Sequence, residues 1–331
     1  MVNDYIVMLN LQLFAGQANT NTTLDTGLSV ENKTFYDKNL IQEAQAELIH
    51  DQFAQKRPIP KNGGKKIEFR KFASLPKATT PLTEGVTPDG KKLNATAIEA
   101  EIAQYGDYIV QSDMLELTTI DNTILEATKI LGRQAGLTLD TITRNVLQSG
   151  TNVFYAPKGD GTAVTSRAGL DKTCVLTVKM VKRIVAFLKK NNAPKIDGSY
   201  VCLLHPYAAY ELMNDPNWVD AHKYTNVENI YEGEIGKIGG CRFVESSEAK
   251  VYDKGVMGCL FLGANAYGTT EIEGGGLQTI IKQKGSAGTA DPLDQRSSIG
   301  WKATKTAEIL VQPYLVRLEC MSELSDELEE N

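Results

Sequence analysis

The chain has 331 residues and a formal net charge of −6, a length that predicts about two domains. Its 42% hydrophobic and 23% charged residues exclude a chain that is disordered throughout, and the longest apolar run falls far short of the roughly 20 residues of a membrane helix. The acidic balance argues against a protein that wraps nucleic acid by its overall charge, and five scattered cysteines predict reduced thiols.

Residues 1–57 predict an N-terminal arm followed by a docking helix. Up to about residue 33 the chain is poor in charge and rich in Asn, Thr, Gln and Gly, a composition that cannot bury a core. From Thr34 apolar residues recur at helical spacing until Pro58 and Pro60 end the helix. We expect the apolar side of this helix to dock on the chain's own body or on a neighbour.

Residues 58–110 predict an extended β-hairpin. Residues 66–72 alternate as a half-exposed strand does, and alternation resumes at Ala97 and continues to Val110. Between them, residues 74–95 carry three prolines and two glycines with few apolar groups. A loop of this length in a compact domain is usually functional, so we expect an arm that reaches onto a partner.

Residues 111–150 predict a long helix. Residues 121–123 offer helix caps, residues 124–147 place apolar side chains along one side, and Gly150 ends the helix. At 1.5 Å per residue the helix spans roughly 35–40 Å. It is either a plain core helix or a spine that carries other elements.

Residues 151–296 predict a mixed α/β body. A helix over residues 176–190, a buried strand over 200–204 and a helix over 207–213 alternate, and short strands follow at 240–244 and 259–262. Residues 284–293 are too rich in Gly and Ala for a strand core. Residues 307–318 predict a final strand, and the acidic tail, residues 322–331, is expected to be solvated.

The common catalytic signatures are missing from the sequence. The three histidines show no metal-ligand spacing, and neither a P-loop nor a nucleophile elbow is present. His205 stands between a predicted strand and Pro206, where a residue in a strand-end turn is favoured over a catalytic base. Residues 274–276 are three glycines that predict a turn, not a phosphate cradle. We therefore predict no catalytic residue, no cofactor and no metal site.

The order of these parts resembles that of the major capsid proteins of tailed bacteriophages, whose fold was first seen in the Hong Kong 97 phage. Within them the chain is similar to coat proteins related to that of coliphage N-four. The resemblance is carried by residues 53–65, 104–108, 134–140 and 300–302, by PKATTPLTEGVTP at 76–88 and by GSAGTADPLDQR at 285–296. Residues 11–15 also look like the start of coat proteins from phages of Gram-positive hosts.

The resemblance implies an α+β fold of the Hong Kong 97 type with an N-terminal arm, an extended β-hairpin loop, a spine helix and an α/β axial domain. Residues 1–57 would be the arm and docking helix, 58–110 the loop, 111–150 the peripheral domain with the spine helix, and 151–296 the axial domain. Residues 297–321 would be the return strand of the peripheral domain, and 322–331 the tail.

The resemblance further implies a structural, non-enzymatic protein of a phage or prophage. Its copies would self-assemble into the pentamers and hexamers of an icosahedral shell. The shell would enclose double-stranded DNA without binding a specific sequence. It would be part of the virion, made in the host cytoplasm without membrane contact, with scaffolding, portal and decoration proteins as further partners. An encapsulin-like nanocompartment and an enzyme of unknown class are the alternatives. The predicted inter-subunit contacts are Lys77, Thr80, Leu82, Glu84, Val86, Pro88 and Lys91 in the loop and Phe35, Leu40, Leu48 and Phe53 in the arm helix.

Overall fold

The computed structural model describes residues 40–44, 48–72, 75–82, 84–87, 89–118, 123–222, 235–286 and 291–331. Within these ranges the chain forms two mixed sheets and a separate two-stranded hairpin. No helix in the same ranges combines the length and the apolar content needed to cross a bilayer. The predicted arm before residue 34 lies outside the described residues.

The hairpin consists of strands β2 (Lys66–Phe72) and β3 (Ala95–Glu101), which pair antiparallel. The strand predicted over 66–72 is confirmed, with Phe69 as its buried residue. The second predicted strand is divided, because Ile102 is buried at the base of the hairpin and its N–H donates to the Lys65 carbonyl at 2.9 Å. Beyond it the chain enters β4 (Ala103–Ser112), which joins a different sheet.

The first sheet is built around the long strand β13 (Arg296–Ile309). Its first part lies between β4 and β12 (Gln278–Lys282), and its end pairs with β11 (Tyr267–Thr270). The short strand β1 (Gln55–Lys56) runs parallel to β11. From Trp301 to Ile309 buried residues of β13 alternate with partly buried ones, and the spine-helix cluster packs on the face of Ile299, Trp301 and Ala303. No described helix contributes to an apolar cluster on the opposite face.

The spine helix α2 (Thr123–Gln148) follows a short helix, α1 (Asp113–Thr118). Its 26 residues span about 39 Å, which confirms the predicted long helix. Its buried residues Ala127, Leu131, Ala135 and Leu139 share one apolar cluster with Ile299, Trp301 and Ala303 of β13. The helical residues 40–44 contribute Leu40 and Ala44 to the same cluster.

The second sheet is the body of the molecule. Its spatial order is β5 (Val153–Tyr155), β14 (Leu315–Cys320), β10 (Val256–Leu262), β6 (Tyr200–Leu204), β8 (Cys241–Glu245) and β7 (Lys237–Ile238), with β9 (Val251–Tyr252) paired to β10. Strands β6 and β10 are buried at every position, as continuous apolar runs require. Helices α3 (Val178–Lys190), α4 (Pro206–Asn214) and α5 (Pro216–His222) add residues to the same core.

The prediction of one final strand over 307–318 is wrong. Strand β13 ends at Ile309, and a 3₁₀ turn over Gln312–Tyr314 separates it from β14, which pairs antiparallel with β10 in the second sheet. Pro313 lies in that turn and has no N–H to donate to a ladder. The predicted segments 151–296 and 297–321 each contribute strands to both sheets. Strands β11 and β12 lie in the first sheet, and residues 315–320 lie in the second.

The acidic tail is docked on the body by its serines, while all of its acidic side chains are exposed, as expected of a solvated end. Ser322 and Ser325 are buried, and the Ser322 hydroxyl donates to Glu211 of α4 at 2.7 Å. The Tyr207 hydroxyl donates to Glu327 at 2.8 Å. The acidic run is therefore partly consumed by contacts within the chain.

The predicted arm helix over 34–53 is helical only at 40–44 among its described residues. From residue 48 the chain leaves the helix and turns through residues 50–53. The physical reason is polar: the His50 N–H and the His50 Nδ1 both contact the buried Asp140 carboxylate of α2, at 2.7 and 2.6 Å. In a continued helix the His50 N–H would instead bind a backbone carbonyl four residues earlier, so the two bonds to Asp140 favour the turn.

Candidate assembly surfaces

The tip of the hairpin is exposed throughout. Every described residue between 75 and 94 is exposed, and Leu82 and Val86 leave 78% and 62% of their surface uncovered. Lys77, Thr80, Glu84 and Lys91 are exposed as well, while Pro88 lies outside the described residues. The chain alone therefore provides no packing for the predicted loop contacts.

The tip carries charges of both signs. Lys77, Glu84, Asp89 and Lys91 form no ion pair with any residue that the structure describes. Nearer the base, Arg70 and Glu68 pair at 3.2 Å, but both side chains are exposed. Such pairs contribute about 0–1 kcal/mol, so the tip is not held in shape by its own charges.

The base of the hairpin, in contrast, is fixed to the body. Phe69 is 4% exposed, and its ring lies so close to Gly268 of β11 that a Cβ atom there would be 3.1 Å from it. The Arg57 guanidinium lies 6.0 Å from the centre of the same ring. Ala100 of β3 is buried too. The hairpin is thus anchored at one end and uncovered at the other.

A second uncovered surface is the helix-free face of the first sheet, the bare sheet face, formed by β4, β12 and β13. Tyr108 and Val110 of β4 are 68% and 50% exposed, and Ile280 of β12 is 37% exposed. They alternate with partly buried residues, Tyr105, Ile109 and Ile281, that pack against the spine-helix cluster. Large apolar side chains in such a group mark an interaction site.

Two glycines shape a groove of about 430 Å³ in the bare sheet face. A Cβ atom at Gly300 would lie 2.7 Å from the Tyr108 Cβ, and one at Gly106 would lie 2.6 Å from the Trp301 carbonyl oxygen. Both distances are too short for non-bonded atoms, so these positions need glycine for the close approach of β4 and β13. The groove is a result of strand packing at these two positions.

Behind the groove, β4 and β13 are tied to the spine helix by hydrogen bonds. The Gln134 side chain accepts from the Trp301 indole N–H at 3.2 Å and donates to the Asp107 carboxylate at 2.7 Å. The bond from Gln134, followed by one from the Tyr108 N–H, lowers the pKa of Asp107. Asp107 is therefore a charged residue at the edge of the groove.

The predicted contact residues of the arm helix are used within the chain. Leu40 is fully buried, Leu48 is partly buried against the spine-helix cluster, and Phe53 packs against a second cluster that includes Tyr267. Phe35 lies outside the described residues. Because Leu40 has no free surface, we do not include it in a contact between subunits.

The polar groups beneath the arm form a buried network. The Thr143 hydroxyl donates to Asp51 at 2.7 Å, Lys305 of β13 pairs with the same carboxylate, and the Tyr267 hydroxyl donates to the His50 carbonyl. Buried charges of this kind are costly unless paired. The network connects the arm, the spine helix and the first sheet, and its role is structural.

His205 and the cysteines, the side chains with the best potential for chemistry, have structural roles in the described part of the chain. His205 caps α4, its Nδ1 accepting from the Tyr207 N–H at 3.2 Å, and burial lowers its pKa. This confirms its place in a strand-end turn. All five cysteines are buried and free, and burial is the main cause of the raised pKa of Cys202. No metal-binding group of His, Cys, Asp and Glu occurs among the described residues.

Comparisons with known proteins agree with this architecture. Residues 116–273 match the family model described as phage capsid protein. The capsid protein of cyanophage P-SCSP1u superimposes with a TM-score of 0.65 at 15% identity, covering 83% of this chain and 89% of that one. The capsid of cyanophage Pam1 superimposes with a TM-score of 0.64 at 12% identity, covering 82% of this chain and 89% of that one.

A virus-like particle from Pyrococcus furiosus shares the fold less closely, with a TM-score of 0.52 at 8% identity over 87% of this chain and 99% of that one. No curated protein sequence matches the chain. The relation to the coat protein of coliphage N-four stays a prediction. Residues 116–273 are thus similar to the phage capsid protein family, and the chain has the fold of these phage capsid proteins, the Hong Kong 97 type.

Proposed function

We propose that the chain is the major subunit of an icosahedral shell, that it assembles into pentamers and hexamers around double-stranded DNA, and that its hairpin tip lies on an adjacent copy. The observation that carries this proposal is the contrast within the hairpin. Phe69 fixes its base to the body, whereas every described residue from 75 to 94 is exposed. A long polar tip without a core of its own is ordered by what it contacts.

The bare sheet face is the surface that we assign to the tip of the neighbouring copy. It offers Tyr108, Val110 and Ile280 as apolar contacts and a groove where Gly106 and Gly300 bring two strands together. Leu82 and Val86 supply the matching apolar side chains of the tip, and Lys77, Glu84 and Lys91 the polar rim. Interfaces with this arrangement draw their stability from the apolar centre.

Repetition supplies the remaining stability of such a shell. One exposed ion pair between a loop lysine and a carboxylate contributes about 0–1 kcal/mol. Each subunit of a closed shell makes several contacts at once, and linked contacts strengthen one another through effective concentration. Weak individual contacts are therefore compatible with a stable particle.

Scaffolding, portal and decoration proteins, synthesis in the host cytoplasm and the absence of any catalytic role follow from the resemblance and belong to the proposal. An encapsulin-like compartment is the weaker alternative, because the match over 116–273 is to a phage capsid family and the virus-like particle has a lower TM-score than the cyanophage capsids. Particles that hold an enzyme cargo and no DNA would favour that alternative.

The proposal is tested by deleting residues 76–92. Because every described residue of this segment is exposed, the variant should keep the circular dichroism spectrum and thermal transition of the full chain. It should fail to form closed particles in sedimentation and negative-stain microscopy. A control with the same number of residues replaced by a Gly/Ser segment separates the role of loop length from that of loop chemistry. Normal particles from the deletion variant would remove the tip from the assembly contact.

A further inference from the structure

Helix α3 exposes a basic face to solvent. Its exposed positions are Lys179, Lys182, Arg183, Ala186, Lys189 and Lys190, and α3 contains no acidic residue. All but one of these side chains are cationic, in a chain whose net charge is −6. The basic face is therefore a local feature that the composition does not explain.

The helix dipole accounts for only part of this pattern. Lys189 and Lys190 lie in the last turn, where positive charge is favourable. Lys179 lies in the first turn, which has no acidic residue of its own and where positive charge is unfavourable. Among the described residues, the carboxylate that binds the start of α3 is that of Asp215, which accepts a hydrogen bond from the Val178 N–H at 2.8 Å. A residue placed against local preference points to a role outside the helix.

The basic face is rigid, and most of its charge is not paired within the described chain. Val181, Ile184 and Leu188 on the opposite side are fully buried in the body core, so the backbone that carries the charges is fixed. Lys179, Lys189 and Lys190 form no ion pair with any residue of the described chain. Lys182 has a favourable charge interaction with Asp215 but no close ion pair. Arg183 lies 5.4 Å from the centre of the Phe154 ring, a contact that leaves its charge available.

We propose that the basic face of α3 binds the phosphate backbone of double-stranded DNA. The inference rests on the proposed function as a DNA-containing shell. From Lys179 to Lys190 the helix rises about 16 Å, and duplex DNA carries one negative charge per about 1.7 Å. Five cations on one straight face can thus meet several phosphates, a contact that needs charge and carries no base sequence.

An acidic protein partner fits this face less well. Protein interfaces depend on buried aromatic or apolar anchors, whereas the only uncharged exposed residue of α3 is Ala186. The acidic tail of another copy is also a poor candidate, because Asp326 and Glu327 already contact Lys172 and Tyr207 in their own chain.

The test measures binding of the unassembled full-length chain to a fluorescent DNA duplex of random sequence at several salt concentrations. If all five cations engage, log K should fall with log salt with a slope of about −4.5. The double variant Lys182→Glu/Arg183→Glu should bind at least about tenfold more weakly, with a slope shallower by about 2. The control Lys61→Glu/Lys65→Glu makes the same change in net charge elsewhere and should bind nearly as the wild type does.

Three outcomes would overturn the inference: no binding by the wild type at low salt, equal weakening in both double variants, or tighter binding to poly-glutamate than to DNA. A neutral pair, Lys182→Gln/Arg183→Gln, removes the same two phosphate contacts and should also make the slope shallower by about 2. An unchanged thermal transition of this variant excludes misfolding as the cause. Negative-stain microscopy of the same proteins separates the two proposals. Wild-type particles without DNA binding refute the basic face alone, whereas DNA binding without particles refutes the shell.

Discussion

Replacing Leu82 with serine tests whether the hairpin tip is buried by another copy. In the single chain Leu82 is 78% exposed, so the change removes almost no internal packing and should shift the free energy of unfolding by less than about 0.5 kcal/mol. In a shell, burying a leucine side chain contributes about 1.5–3 kcal/mol. Its loss should weaken each tip contact by about ten- to a hundredfold, because 1.4 kcal/mol is a factor of ten.

The measurement is the protein concentration at which particles form, followed by light scattering and by sedimentation. Leu82→Ser should need a clearly higher concentration than the wild type, whereas Leu82→Met keeps the apolar area and should assemble near the wild-type concentration. Both variants should have the wild-type thermal transition. Assembly of Leu82→Ser at the wild-type concentration would refute burial of the tip.

Three further predictions concern the single chain. Gly300→Val should lower the free energy of unfolding by about 1–3 kcal/mol, because its Cβ would lie 2.7 Å from an atom of the next strand. The free energy of unfolding is measured in urea, with Gly90→Val as the control, because a Cβ atom at Gly90 would have no neighbour within 4 Å. Equal stability of the Gly300→Val and Gly90→Val variants would argue against the close approach of the strands. Gly255→Ala should release the tail to proteolysis, since φ is +70° and a Cβ would lie 2.1 Å from the Ser325 carbonyl oxygen; a protected tail would contradict this. Hydrogen bonds, the first from a threonine hydroxyl, lower the pKa of Asp171 from 3.8 to about 2, so this carboxylate stabilises the fold above about pH 4 and loses that effect as pH falls towards 2. Asp171→Asn should therefore be less stable than the wild type at neutral pH and equal to it near pH 2, and a pH-independent difference would refute the assignment.

Much of the fold could be predicted from hydrophobic periodicity. The strand over Lys66–Phe72, the buried strand over Tyr200–Leu204 and the long helix over Thr123–Gln148 agree with their predicted positions to within one or two residues. Each of these has a clear sequence pattern: alternation in the first strand, a continuous apolar run in the second and helical spacing in the long helix. Local sequence then determines the element because no long-range contact competes with it.

The errors fall where long-range contacts decide the conformation. The arm helix ends early because Asp140, distant in sequence, binds the His50 N–H and ring. The last strand divides because residues 310–314 carry the chain from one sheet to the other, and apolar residues on both sides of the turn look alike in sequence. The end of the arm helix leaves no signal in periodicity or in propensity. The second break is marked in the sequence only by Pro313, which cannot donate to a strand ladder.

The two halves of the candidate contact differ in how far sequence could reveal them. The tip is recognisable because prolines, glycines and charges exclude a core. The bare sheet face was not predicted, although the alternation through residues 104–110 places Gly106, Tyr108 and Val110 on one side of β4. That signal was incomplete, because its meaning depends on Gly300 and on the pairing of β4 with β13.

The proposed contact joins two different surfaces, the tip of one copy and the bare sheet face of the next. Such a heterologous contact cannot close a twofold dimer, and it builds a ring when the rotation between neighbours divides a full turn. Pentamers and hexamers require two slightly different rotations from one contact. The hairpin suits this requirement, because Phe69 fixes its base while every described residue from 75 to 94 is exposed. A tip that adjusts its direction lets the same apolar side chains reach the same groove in both rings.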